Sequence, residues 1–260
     1  MHSEASLPSP AEPDADTIPE VARSTRHWTI TLRRPRQHNR LDPADVTLLQ
    51  QTFDALLALA PSQRPRLLVL RGTGSKTFSS GYTLQAILEQ LDERFEAMLD
   101  TLERLPVVTV AAMQGNVYGG ATDLALCCDL RFGPADMRMF MPAARIGLHY
   151  YPHGLRRYLN RLGATATSKL MLTGETVGAE ELLRMGFLTE IVERDAMEER
   201  LARLFDAVAA TEPNAVAAMK QSLLDLNAVA QSALDAARLR YLSSLQSEEL
   251  RSRLAALGKA

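Results

Sequence analysis

The sequence has few cysteines, almost no net charge and no long apolar run, and each shortage excludes something. The only two cysteines, Cys127 and Cys128, are adjacent. Adjacent thiols do not close a useful structural disulfide, and no histidine stands at ligand spacing to make a zinc site. They read as small core residues of a reducing, cytoplasmic compartment, and no metal is expected. The formal net charge is −2, from 29 basic and 31 acidic residues, and the sequence contains no basic block. Binding to nucleic acid or to a membrane surface therefore has no electrostatic support. No apolar stretch approaches the ~20 residues of a membrane span. The opening "MHSEASLPSPAEPDADTIPE" lacks the apolar core of a signal peptide. Rich in Pro, Ala and acid, it is expected to be a disordered tail over residues 1–24.

What remains is ample for one core, since 46% of the 260 residues are hydrophobic. "HWTITLRRP" alternates and is β-rich, so it reads as a strand that ends at Pro35. In "DPADVTLLQQTFDALLAL", Asp42 is an N-cap and Pro43 the first residue of an amphipathic helix. "PRLLVLRGTG" and "VVTVAAMQG" are short apolar runs with glycine at the exit, the pattern of buried strands. "TLQAILEQLDERFEAMLDTLERL" is helical, and Pro106 breaks it. "LRFGP", "MRMFMP" and "LTEIV" read as short strands, and "GLRRYLNRLG", "ATSKLMLTG" and "GAEELLRMG" as helices. Strand and helix alternate through two-thirds of the chain and helices fill the rest, which implies an α/β core with a helical C-terminal portion.

Two glycine-bearing turns stand out, "KTFSSGYTL" and "GNVYGGATDL". Each follows a buried strand and enters a helix. Backbone N–H groups at a helix start have no intrahelical acceptor and carry the positive end of its dipole. Two such groups aimed at one point make an oxyanion hole. Neither turn is a Walker or a G-x-G-x-x-G motif.

Taken in order, "RPRQHNRLD", "LLVLRGTGSKTFSSG", "PVVTVAAMQGNVYGGATDLALCCDLR", "MPAARIGL" and "LMLTGETVGAEELLRMGFLTEIV" resemble the crotonase superfamily, the enoyl-CoA hydratase/isomerase family. The resemblance runs from about Trp28 to about Glu248. It implies a crotonase-like spiral of β-β-α units over residues 25–195 and a trimerisation region of helices over 196–260. The implied partners are an acyl-CoA thioester and further copies of the chain, as a homotrimer or dimer of trimers. No separate cofactor is implied, coenzyme A being part of the substrate. By position, Tyr82 and Gly120 would donate the two N–H groups that hold the thioester oxygen as an enolate forms. Arg40, Ser80, Gly81, Gly119, Pro142, Ala143 and Arg145 would line the substrate site.

The departures from the family pattern carry the specific information. Hydratases of this family use two glutamates. One of those positions here is Asp123 and the other is Ala143, which transfers no proton. Asp123 is expected to face the acyl chain beside the thioester and to move a proton there. Its plain structural reading is an acid in the first helical turn that complements the helix dipole. Some superfamily members carry a functional acid a few residues after the "IG" of "MPAARIG". Gapless counting puts Tyr151 there, between His149 and His153. Arg145 and Arg138 lie close to the missing glutamate, and Arg40 is a candidate for a coenzyme A phosphate. Three functions stay open: enolate chemistry other than two-glutamate hydration (isomerisation, decarboxylation or hydrolysis), hydration by Asp123 with loop groups, and non-catalytic acyl-CoA binding.

Overall fold

The computed structural model describes residues 16–83, 93–227 and 231–257. Strands β1 (Thr17–Arg23), β2 (His27–Arg33), β3 (Leu67–Gly72), β5 (Val108–Ala112), β7 (Leu130–Gly133) and β10 (Glu190–Ile191) form one sheet in the order β1-β2-β3-β5-β7-β10. Strands β4 (Thr77–Ser79), β6 (Asn116–Tyr118), β8 (Arg138–Phe140) and β9 (Val177–Gly178) form a second. From β3 to β8 the chain lays a strand in the large sheet, then one in the small sheet, and β9 joins the small sheet before β10 returns to the large one. Helix α2 (Glu93–Glu103) follows β4, and α3 (Gly120–Cys127) follows β6. Neighbouring strands from β2 to β10 in the large sheet run parallel, as do β4, β6 and β8. This is the expected spiral of β-β-α turns.

The buried strands are apolar on both faces because both faces are covered. Leu68 and Leu70 point into the main core with Phe53, Leu56 and Leu99. Their neighbours Leu67 and Val69 point the other way, onto Met197, Leu201 and Leu204. Those three belong to α6 (Met197–Ala209), the helix after α4 (Pro152–Ser168) and α5 (Ala179–Arg184). A strand covered on both sides reads as a continuous apolar run rather than an alternating one.

Helix α1 (Pro43–Ala58) starts where the sequence places it, with the Asp45 carboxylate accepting the Asp42 N–H at 2.7 Å. One expectation needs correction. The tail does not reach residue 24, because Thr17–Arg23 pairs antiparallel with β2. Pro19 and Glu20 sit on this strand at the sheet edge, where unpaired groups are tolerated. Residues 1–15 lie outside the described residues, as does 84–92 of the long helix expected after Tyr82. The two helices expected over 154–174 are present and part at Gly163, whose backbone is non-helical with φ +74° and ψ 169°, and the second continues through Lys169–Thr173. The C-terminal region is helical as expected: α6 is followed by α7 (Pro213–Leu226), α8 (Gln231–Leu245) and α9 (Glu248–Leu257).

Candidate active site

The two glycine turns meet. Gly81 has φ +88°, and a Cβ there would lie 2.7 Å from the Gly120 nitrogen and 2.8 Å from the Tyr118 carbonyl oxygen. A Cβ on Gly120 would lie 3.5 Å from the Tyr82 nitrogen. Only glycine permits both the left-handed backbone and this approach. The first turn is fixed by backbone bonds, Leu41 N–H to the Gly81 carbonyl at 2.8 Å and Thr83 N–H to the Leu41 carbonyl at 3.0 Å. Asn39 pins the same corner, its amide donating to the carbonyls of Thr73 and Thr77. The second turn is held by Gly119 N–H donating to the Phe140 carbonyl at 3.0 Å. Gly120 is the first residue of α3, so its N–H has no acceptor within the helix.

Both turns open onto a cavity of about 970 Å³. Of the residues assigned to the site from sequence, Arg40, Ser80, Tyr82, Gly119, Gly120, Pro142, Ala143, Arg145 and Tyr151 line it. Gly81 is packed behind, between the turns. Asp123 does not face the cavity, which corrects the expectation that its carboxylate lies along the acyl chain. It is fully buried, and two phenols stand between it and the opening. Tyr151 and Tyr150 both donate their hydroxyls to Asp123 Oδ2, Tyr150 at 3.1 Å and Tyr151 at closer range. The other oxygen, Oδ1, accepts from Arg157 Nη1 at 2.6 Å.

Arg157 is the hub behind the site. It is fully buried and also reaches Asp100 at 2.8 Å and Glu103 at 3.3 Å, both on α2. His153 Nδ1 lies 2.5 Å from the other oxygen of Asp100, and Arg156 pairs with Glu103 at 2.6 Å. Burial alone pushes both carboxyls up. The His153 hydrogen bond and the Arg157 charge outweigh that at Asp100, as the Arg157 and Arg156 charges do at Glu103, and both are held below the usual carboxylate range. Burial, reinforced by the negative charge of Asp123, holds the phenols of Tyr150 and Tyr151 well above their usual range. Both phenols are therefore neutral at physiological pH. Gly154, one turn before Arg157, leaves room for this cluster: a Cβ there would lie 2.5 Å from the Tyr150 ring and 2.8 Å from Asp123 Oδ2.

The remaining candidates fall elsewhere. His149, His153 and Arg138 do not line the cavity. Cys127 and Cys128 are free and buried, and burial pushes the Cys128 thiol up to about 12. Among the described residues no three His, Cys, Asp or Glu side chains are grouped to hold a metal ion, and no helix is long and apolar enough to cross a membrane. The sequence reading missed Tyr150, Phe95, Tyr241 and Arg253 on the cavity wall, and Arg157 behind it. Arg253 donates to the Arg145 carbonyl at 3.0 Å. Beside it, Leu250 and Leu254 pack on Ile146, so α9 covers this side of the cavity.

Two glycine turns opening on one cavity, within a spiral of β-β-α units, define the crotonase class of architecture. Residues 26–255 match the pattern of the enoyl-CoA hydratase/isomerase family. The chain belongs to that family, whose members act on coenzyme A thioesters. It is 27% identical over 215 residues to a 2,3-dehydroadipyl-CoA hydratase of Escherichia coli (strain K12), covering 81% of this chain and 83% of that one. It is 28% identical over 203 residues to an (E)-benzylidenesuccinyl-CoA hydratase of Thauera aromatica, covering 74% and 77%. In fold it is similar to a methylmalonyl-CoA decarboxylase in complex with 2-nitronate-propionyl-CoA, with a TM-score of 0.83 and 20% identity over 94% of this chain and 96% of that one.

Proposed function

We propose that the protein decarboxylates a 2-carboxyacyl-CoA, a thioester with its carboxylate on Cα, holding the resulting thioester enolate between the N–H groups of Tyr82 and Gly120. One observation carries this reading. Among the described residues, the cavity wall contains no carboxylate and no imidazole. Hydration and proton-transfer isomerisation both need a group that takes a proton from water or from carbon. Decarboxylation needs none. The bond between Cα and the carboxylate breaks, carbon dioxide leaves, and the electron pair stays on the thioester as the enolate. What the site must supply is a place for the developing oxyanion and a proton for Cα afterwards.

Tyr151 is the proton donor in this reading, and Asp123 with Arg157 positions it. The Tyr151 hydroxyl rotates from Asp123 towards Cα and gives up its proton. Tyr150, bonded to the same carboxylate oxygen, keeps that oxygen satisfied meanwhile. Water restores the proton to Tyr151 as product leaves. Arg40, Arg145 and Arg253 all line the cavity and suit the phosphates of coenzyme A. The decarboxylase similarity is one of fold and adds nothing to the argument from the wall.

The similarity to two hydratases favours hydration as the rival reading. Incubation with malonyl-CoA, methylmalonyl-CoA and crotonyl-CoA separates the two. Carbon dioxide release and loss of the carboxyl group by mass spectrometry support decarboxylation. Hydration of crotonyl-CoA at enzymatic rates, with both carboxylated thioesters intact, refutes it. Binding of all three without turnover returns the protein to the non-catalytic reading.

A further inference from the structure

The distribution of aromatic side chains is uneven. The chain has six tyrosines. Five of them, Tyr82, Tyr118, Tyr150, Tyr151 and Tyr241, line the one cavity, and Phe95 joins them there. Five of these six rings, all but Tyr118, form two packed groups. Tyr82 and Phe95 stack at 5.0 Å between ring centroids. Tyr151 lies 4.8 Å from Tyr150 and 6.4 Å from Tyr241, with the rings tilted at 46° and 58°. These are the spacings and tilts at which aromatic rings attract one another.

The rings stand where an acyl group must go. Phe95 lies against the oxyanion turn, its Cζ 3.1 Å from where a Cβ on Gly120 would be. Tyr150 turns its hydroxyl to Asp123, so its ring carbons are what it offers to a ligand. Met141, also on the wall, adds a polarisable thioether, which favours an aromatic neighbour. Accommodating a linear alkyl chain needs apolar area only. A surface built from so many rings does more, because it pairs with a further ring edge to face.

We propose that the acyl group of the natural substrate carries an aromatic ring, held among Phe95, Tyr150, Tyr151 and Tyr241. This rests on the acyl-CoA reading of the cavity and is independent of which reaction follows. Phenylpropionyl-CoA and nonanoyl-CoA have equal numbers of acyl carbons and no carboxyl group to lose. Area alone favours the nonanoyl chain, which has more apolar surface. Ring pairing and the smaller loss of rotamer freedom favour the phenyl group. Calorimetric titration of the full chain should show phenylpropionyl-CoA binding about tenfold more tightly or better. Tyr241→Leu and, as an independent variant, Phe95→Leu should each shrink that preference several-fold, the loss of affinity falling mainly on phenylpropionyl-CoA. A variant that loses affinity for both ligands equally counts against the inference, as does equal or reversed preference in the unaltered protein. Failure of both thioesters to bind refutes the acyl-CoA reading itself, and this inference with it.

Discussion

If Asp123 acts only through Tyr151, replacing both should cost no more than replacing Tyr151 alone. Tyr151→Phe removes the hydroxyl and keeps the ring, so turnover of the carboxylated thioester should fall by about 10²–10⁴, the usual contribution of a positioned acid. Asp123→Asn keeps the size and removes the charge. The amide has one acceptor oxygen where the carboxylate serves two phenols and Arg157. Tyr151 is then less well aimed, which should cost about 10- to 10²-fold in turnover. The stability cost should be about 1.5–3 kcal/mol, the worth of a charged hydrogen bond. It falls below the larger penalty of an orphaned buried charge because Arg157 keeps Asp100 and Glu103. The double variant should be no slower than Tyr151→Phe, and KM should move only a few-fold in each, since neither group meets coenzyme A. Steady-state kinetics on the four proteins close the cycle. Additive losses refute the reasoning, because they would mean that Asp123 handles a proton itself.

Gly81→Ala should cut turnover by about 10² or more, as loss of an oxyanion donor does, because a Cβ there lies 2.7 Å from the Gly120 nitrogen; activity within a few-fold of the original would remove the two turns from the chemistry. Ala143→Glu puts a carboxylate on a wall that lacks one, and crotonyl-CoA hydration should rise at least tenfold; a folded variant without that rise would show that hydration lacks more than this group. Asp100 and Glu103 are held below their unfolded values, so their contribution is present at neutral pH and is lost as the pH falls through the unfolded and then the folded values. Urea midpoints should therefore drop below about pH 4, and less steeply in Arg157→Met than in the original. Helix α7 buries none of its residues within the chain and exposes Met219, Leu223 and Leu226. Sedimentation at micromolar concentration should show a trimer or its multiple, and Leu223→Glu should dissociate it; a stable monomer before substitution would contradict this.

The elements legible in the sequence are those whose signal is local. Pro43 behind Asp42 marks a helix start, and the run "LLVL" marks a strand covered on both faces. The paired glycines of 119–120 mark a turn that nothing larger can make. Of the small sheet only β8 is legible, in "MRMFMP"; β4, β6 and β9 are two or three residues long, too short for any periodicity to register. The chemistry behind the site was hidden for another reason. Arg157 reads as one more polar residue on an amphipathic helix, and its carboxylate partners lie 34 to 57 residues away in sequence. The burial that makes it the hub exists only once α2, α3 and α4 have packed together. Asp123 shows the same limit from the other side: its place one turn past the glycines is legible, but the two phenols that screen it from the cavity are not.

The crowding of tyrosines at the cavity has an optical consequence. The sole tryptophan, Trp28, stands on β2 beneath the Arg23 guanidinium and does not line the cavity. Five of the six phenols do. Ligand entry should therefore perturb tyrosine absorption and near-ultraviolet circular dichroism while leaving the tryptophan emission almost unmoved. Unfolding should change both. The molecule carries one chromophore that reports on its site and another that reports on its fold.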